Sequence, residues 1–134
     1  MRYLLDTNVC VDYLTGRFPQ VITRLQELRP DEVAISVIAE AELRYGADKS
    51  ARVAENHARL DRFLDDVSIL EFDKAAARTY GVLRSALERS GMPIGPNDML
   101  IAAQALAHDL VLVTANQAEF DRVDGLAVES WRGQ

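Results

Sequence analysis

The chain opens with Tyr3-Leu4-Leu5-Asp6-Thr7-Asn8, a short apolar run that ends at an acid and continues into two residues that favour helix starts. Such a run is typical of a buried strand, and Thr or Asn directly after it favours the beginning of a helix. Asp6 then stands at the carboxyl end of a strand, where open parallel sheets bind their ligands. An aspartate before a helix is also a common N-cap, so at this position alone the two interpretations have even weight.

Strand and helix patterns alternate along the rest of the chain. Short apolar runs predict further strands at residues 33–35, 67–72, 110–114 and 127–129. Helical spacing of apolar residues predicts helices at 19–29, 36–46, 50–65, 73–91 and 97–108, with Ser36 and Asp73 as caps and Gly46 and Gly91 as ends. The alternation predicts a three-layer α/β/α fold around a mostly parallel sheet of four to five strands. At 134 residues the chain fits a single domain, 1–134.

A second acid, Asp98, opens the predicted alanine-rich helix. On helical spacing it continues the apolar face formed by Ile101, Ala102 and Ala105. A carboxylate on a buried face needs a compensating partner, because burying an unpaired charge is costly. The helix N-terminus supplies part of that compensation, and a metal ion would supply more. Asp98 is therefore a candidate metal ligand.

The helix after Ser36 offers two acids, Glu40 and Glu42. At about 100° per residue its buried stripe is predicted to have these members: Val37, Ile38, Ala41 and Tyr45. Glu42 falls somewhat nearer to this stripe than Glu40 does. Spacing alone therefore favours Glu42 only slightly, and Glu40 stays open as the alternative.

A further polar group follows the predicted strand 110–114. Asn116 and Glu119 carry oxygen ligands at a strand end that should neighbour that of Asp6, and Thr114 can orient a carboxylate by hydrogen bonding. An ordinary Asx turn is the structural alternative. Oxygen ligands without His or Cys favour Mg²⁺ or Mn²⁺ over zinc, and such ions can activate water against a phosphodiester. Without cations the carboxylates repel one another, so at least one pKa is expected to rise.

The formal net charge of −6 argues against a broad nucleic-acid-binding surface, because affinity for phosphates comes largely from Lys and Arg. It does not exclude a nuclease, since a carboxylate site is negative until cations fill it. Several basic residues are candidates for guiding a phosphodiester locally: Arg17, Arg24, Arg44, Lys49 and Arg52.

The compartment is predicted from two features of the sequence. No apolar stretch approaches the ~20 residues that span a bilayer, and the first residues lead into a strand rather than a signal sequence. The single cysteine, Cys10, has no partner for an internal disulfide. These features predict a cytoplasmic protein.

Four segments in order give the chain a specific resemblance to a known family. They are Leu5-Asp6-Thr7-Asn8; Ala41-Glu42-Leu43 with Gly46; Asp98 with Leu100-Ile101-Ala102-Ala103 and Ala105-Leu106; and Val113-Thr114 with Asn116, Glu119 and Phe120. With these segments the chain resembles PIN-domain ribonucleases, and more narrowly the VapC-type toxins of bacterial type II toxin-antitoxin pairs. The resemblance covers essentially the whole sequence. Each segment is weak alone, whereas four in this order at this length are strong.

The resemblance implies endonucleolytic cleavage of RNA that depends on Mg²⁺ (or Mn²⁺), and inhibition by a cognate VapB-type antitoxin. It also implies toxin homodimers within a larger toxin-antitoxin assembly that contacts operator DNA only through the antitoxin. It favours Glu42 over Glu40 and makes Asp6, Glu42 and Asp98 the metal ligands. Many PIN relatives carry an aspartate where this chain has Asn116, so Asn116 and Glu119 stay alternatives for the fourth site residue.

Two other classes of protein remain as alternatives. The start Asp6-Thr7-Asn8-Val9 resembles the DxDx start of haloacid-dehalogenase-type phosphatases, but Asn8 replaces the second acid, which would act as the general acid. The chain is also short for that fold. A non-catalytic binding module with a PIN-like fold is the other alternative, and the presence of all three acids argues against it. Metal titration followed by an RNA-cleavage assay separates the three classes.

Overall fold

Five short strands form the centre of the computed structural model, which describes residues 1–133. They are β1 (Tyr3–Leu5), β2 (Val33–Ser36), β3 (Ser68–Leu70), β4 (Val111–Val113) and β5 (Val128–Glu129). The strand order in the sheet is β3-β2-β1-β4-β5, and each of these pairings is parallel. The prediction of a mostly parallel sheet of four to five strands is confirmed.

Helices connect the strands and cover both faces of the sheet. They are α1 (Thr7–Thr15), α2 (Pro19–Gln26), α3 (Val37–Asp48), α4 (Val53–Leu64), α5 (Lys74–Ser90), α6 (Pro96–Ala107) and α7 (Gln117–Phe120). Successive side chains of a strand point to opposite faces, so β1 contributes to two hydrophobic cores. Tyr3 and Leu5 pack with α1, α2 and α4, whereas Leu4 packs with α5 and α6. The result is the expected three-layer α/β/α arrangement.

Several helix ends follow the local sequence signals. The hydroxyl of Ser36 accepts a hydrogen bond from the backbone N–H of Ile38 at 2.9 Å, and Asp73 caps α5 through the N–H of Ala76 at 2.9 Å. Gly91 ends α5 with φ 69°, a left-handed conformation that costs glycine little. No helix within residues 1–133 is both long and apolar enough to cross a membrane.

Other boundaries differ from the predictions. Helix α2 ends at Gln26 rather than near residue 29, because Arg29 is extended before Pro30, which begins a 3-10 turn. Helix α4 starts at Val53, three residues later than expected. Gly46 was predicted to end α3, yet the helix continues through it to Asp48. One interior glycine costs a helix only about 1 kcal/mol, which the packing of α3 can offset.

The predicted buried stripe of α3 was wrong. The buried residues of this helix are Ala39, Leu43 and Ala47, whereas Ala41 is exposed and Tyr45 is 65% exposed. Helix α3 packs against α1, α4 and α6 as well as the sheet. The buried residues Ala39, Leu43 and Ala47 recur every fourth position and so form one face of the helix, which these neighbours cover. Tyr45 was predicted to be buried from its hydrophobic side chain and helical spacing, whereas the structure places it in solvent.

Candidate metal centre

Four acids stand at the edge of the sheet where the parallel strands end. Asp6 follows β1, Glu42 lies on α3 after β2, Asp98 lies in the first turn of α6, and Glu119 lies on α7 after β4. Burial, together with the negative charges of the other three acids, raises the pKa of Asp98. The parallel topology explains why these acids lie together, because residues that follow different parallel strands reach the same edge of the sheet.

Asp6 occupies the N-cap position of α1, but its carboxylate is engaged elsewhere. The hydroxyl of Thr114 donates to Oδ2 of Asp6 at 2.6 Å, and the backbone N–H of Asp6 donates to Val113 at 2.9 Å. The side chain is almost completely buried, and this burial raises the pKa of Asp6, while the Thr114 hydrogen bond opposes the rise. Thr114 therefore orients this carboxylate, as its position after β4 suggested.

Glu42, and not Glu40, belongs to the cluster. The hydroxyl of Thr7 donates to Oε1 of Glu42 at 2.5 Å, and the side-chain amide of Asn97 donates to Oε2 at 3.3 Å. Glu40 instead pairs with Arg44 on the same helix at 3.4 Å. Asn97 was missed in the sequence, where its position directly before Asp98 is the only signal for it.

Glu119 and Asn116 form one unit at the start of α7. The backbone N–H of Gly95 donates to Oε1 of Glu119 at 3.0 Å, and the side-chain amide of Asn116 donates to Oε2. The backbone N–H of Asn116 in turn donates to the hydroxyl of Thr114 at 3.0 Å. Asn116 thus fixes the position of Glu119. Of these two residues only Glu119 is an acid, and its negative charge acts on Asp98.

Asp98 is the acid of the cluster on which burial and the other three charges act together. Partial burial, followed by the charges of Glu119, Asp6 and Glu42, raises the pKa of Asp98 to about 7. A proton on Asp98 is further favoured because it can hydrogen-bond Glu119. Near neutral pH the cluster therefore retains a proton that an isolated aspartate would have lost.

The cluster has the composition of a cation site. Within residues 1–133, none of the four acids has a Lys, Arg or His partner within ion-pair distance. Partly buried carboxylates without positive partners are costly, and a hard divalent cation is the ligand that oxygen donors prefer. In the described part of the chain, however, no three such side chains converge closely enough to hold one ion as they stand. The carboxylates of Glu42, Asp6 and Glu119 instead accept separate hydrogen bonds from Thr7, Thr114 and Gly95.

The raised pKa of Asp98 predicts how the stability of the metal-free protein depends on pH. A carboxyl group with a pKa near 7 when folded and 3.8 when unfolded binds more protons in the folded state between these values. The free energy of unfolding should therefore fall as pH rises from about 4 to about 7, by on the order of 1–2 kcal/mol from this group, because solvent screening of the half-buried carboxyl reduces the full effect. Urea titrations in EDTA at several pH values, with Asp98→Asn as reference, measure this. An equal pH dependence of both proteins would contradict the assignment.

Comparison with known proteins places this geometry in a family. The PIN domain family matches residues 3–126. The chain is 42% identical to ribonuclease VapC2 of Rickettsia felis over 133 residues, covering 98% of each protein. It is 37% identical to the tRNA(fMet)-specific endonuclease VapC of Shigella flexneri, again over 98% of each. The crystal structure of VapBC2 from Rickettsia felis bound to a promoter DNA fragment contains a chain with 39% identity and a TM-score of 0.91, covering 98% of this chain and 99% of that one.

The chain therefore belongs to the PIN-domain family, among its VapC ribonucleases. This confirms the resemblance drawn from the four sequence segments. It also rejects the haloacid-dehalogenase alternative, which rested on the first segment alone.

Proposed function

We propose that the protein is the toxic component of a type II toxin-antitoxin pair, an endoribonuclease that hydrolyses RNA phosphodiester bonds. The observation that carries the proposal is the cluster of Asp6, Glu42, Asp98 and Glu119, which interact electrostatically but have no basic partner among the described residues. Family membership supports the reaction class, since its relatives are named ribonuclease and endonuclease VapC. RNA is the substrate, and a non-catalytic binding module would not need this arrangement of acids.

Asp6, Glu42 and Asp98 are the proposed ligands of Mg²⁺ or Mn²⁺. PIN-domain VapC nucleases are generally metal-dependent. When bound, such an ion makes a water molecule a better nucleophile and stabilises charge on the leaving oxygen. The chain's own residues prepare the site: Thr114 holds Asp6 and Thr7 holds Glu42. Asp98, whose pKa is raised to about 7 by burial and the neighbouring acids, would give up its proton when a cation is bound beside it.

Glu119 is the proposed fourth acid, and Asn116 is its positioning residue. After burial, the charge of Glu119 contributes most to the raised pKa of Asp98. The side-chain amide of Asn116, in contrast, donates a hydrogen bond to Glu119. Asn116 would then act through Glu119 at the position where many PIN relatives carry an aspartate.

The proposed partner is a VapB-type antitoxin that covers the acidic cluster. Arginine suits this role, because its planar fork can pair with carboxylates such as Asp6 and Asp98 and compete with the metal. Related structures are VapBC toxin-antitoxin complexes, one of them bound to a promoter DNA fragment. We propose that this chain likewise forms a homodimer within such an assembly and reaches operator DNA only through the antitoxin. We also propose a single domain, 1–134, that acts in the cytoplasm.

Expression in a host that lacks the antitoxin tests the function. Wild-type protein should arrest growth, co-expression of the antitoxin from the same operon should restore it, and Asp98→Asn should be harmless. The purified protein should cleave RNA with Mg²⁺ or Mn²⁺ and stop in EDTA. Initiator tRNA is the first substrate to assay, because two VapC relatives are named as tRNA(fMet)-specific. Normal growth under wild-type expression would reject the toxin role, and full cleavage in excess EDTA would reject the metal site.

A further inference from the structure

An acidic ribonuclease needs local positive charge to hold its substrate, and the obvious candidates are occupied. Arg44 pairs with Glu40 and Asp61, and Arg52 pairs with Glu55. The other three basic residues singled out in the sequence lie against aromatic rings: Arg17 on Phe18, Arg24 on Tyr3 and Trp131, and Lys49 on Tyr45. Each of these five side chains therefore already has a partner, an acid or an aromatic ring, among the described residues.

Two arginines of helix α4 differ from these five. Arg59 and Arg62 are exposed, and within residues 1–133 neither guanidinium forms an ion pair, a hydrogen bond or a stacking contact. They are three residues apart, so both project from the same side of the helix. Each leaves an uncompensated positive charge on a protein with a net charge of −6. Unpaired cations of this kind are available to phosphates.

A cleft extends between Arg59 and Glu42, one of the four acids of the cluster. It has a volume of about 380 Å³ and lies between α1, α3 and α4, with Thr7 and Glu42 at its acidic end and Arg59 on its α4 side. Its other walls are mainly apolar and include Val11 and Leu60. Arg59 also lines a second depression, of about 280 Å³, together with Arg62 and Phe63. The two depressions share Leu14 and Arg59 in their walls, so they are neighbours along helix α4, and together they are called the track.

We propose that this track holds the nucleotides next to the bond that is cut, with a base in the apolar cleft and flanking phosphates on Arg59 and Arg62. This inference rests on the proposed ribonuclease function and describes how the same site binds its RNA. The cleft volume lies in the range of small-ligand pockets. Its apolar walls suit the base of a nucleotide, and the unpaired arginines beside it suit the phosphate. An apolar segment of a protein partner would fit the walls but would leave the unpaired cations unexplained.

RNA binding by a cleavage-deficient protein provides the test. In an Asp98→Asn background with Mg²⁺, the affinity for a labelled single-stranded RNA is measured against salt concentration. Arg59→Gln and Arg62→Gln should each lower the magnitude of the slope of log K against log salt by about 0.7, because each removes one phosphate contact. Arg52→Gln is the control, since it removes the same charge from an arginine that already has a partner, Glu55. Equal slopes for all three variants would overturn the proposal.

Gly46 allows the apolar half of the site to be tested separately. It lines the same cleft, and a Cβ at this position would meet no other atom within 4 Å. Gly46→Met should fill part of the cleft, weaken RNA binding at least about threefold and leave the salt slope unchanged, since no charge is lost. Gly46→Ala should bind RNA nearly as the parent protein does. Unchanged binding by Gly46→Met would overturn the placement of a base in the cleft.

Two further measurements separate this inference from the proposed function. In the active protein, the double variant Arg59→Gln/Arg62→Gln should raise KM for RNA and leave kcat within about twofold, because the acid cluster is untouched. If the double variant instead bound RNA normally but lost affinity for the antitoxin, the track would belong to the protein partner and the inference would be wrong, while the ribonuclease function would stand. Failure of the wild-type protein to cleave any RNA would reject the function itself.

Discussion

Asp98→Asn should lower the rate of RNA cleavage by at least about 100-fold, equivalent to about 2.7 kcal/mol in the activation barrier, while the protein stays folded. The substitution keeps the shape of the side chain and removes the charge that the proposed cation needs. Asp6→Asn should have a similar effect on cleavage. Because the pKa of Asp98 is raised to about 7 by burial and the neighbouring acids, its replacement should also stabilise the metal-free protein by a few degrees in Tm.

The matched control for these variants is Glu40→Gln. It also removes a single acid near the site, but Glu40 pairs with Arg44 and makes no contact with the four acids in the described structure. Cleavage rates of purified proteins with circular dichroism and thermal melts give both readouts. Near-wild-type cleavage by Asp98→Asn or Asp6→Asn, or an equal loss in Glu40→Gln, would show that the acid cluster is assigned wrongly.

Arg132→Ala should destabilise the protein by about 2–3 kcal/mol, although only two residues follow Arg132 in the sequence. Its guanidinium donates to both carboxylate oxygens of Asp12, at 2.7 and 3.0 Å, and Asp12 on α1 is only 2% exposed. The same guanidinium lies 4.2 Å from the centre of the Phe18 ring. Truncation would leave a buried carboxylate without a partner. Entry of water into the vacated space keeps the loss below the full cost of breaking a buried pair.

Arg84→Ala provides the comparison for this effect. Arg84 also pairs with an acid, Glu88 at 3.1 Å, but both side chains are more than half exposed. An exposed pair on one helix contributes little to stability, because water screens both charges. Urea denaturation measures both variants, and the double variant Asp12→Ala/Arg132→Ala should lose less than the sum of the single losses. A loss in Arg132→Ala no larger than in Arg84→Ala would mean that the pair does not stabilise the fold.

The features that the sequence predicted correctly depend on short-range interactions. Ser36, Asp73 and Gly91 act on backbone groups a few residues away, so their roles as helix caps could be inferred without the fold. The positions of Asp6 and Asp98 beside an apolar run and at a helix start were likewise readable, because parallel topology then brings such positions to one edge. The element order and the members of the cluster followed from these local signals and the family resemblance.

Tertiary structure alone decided which partner each side chain has. Residue spacing assigned the wrong buried face to α3, because burial of a helix face depends on which elements pack against it, here α1, α4 and α6. The pairing of Asp12 with Arg132 joins residues 120 positions apart, and no local pattern predicts it. Likewise, the pKa of Asp98 depends on acids from three other segments. Local sequence determined at which strand and helix ends the charged residues lie, whereas long-range packing determined which of these charges are neutralised. The reason is that Coulomb interactions and desolvation depend on distance in space rather than along the chain.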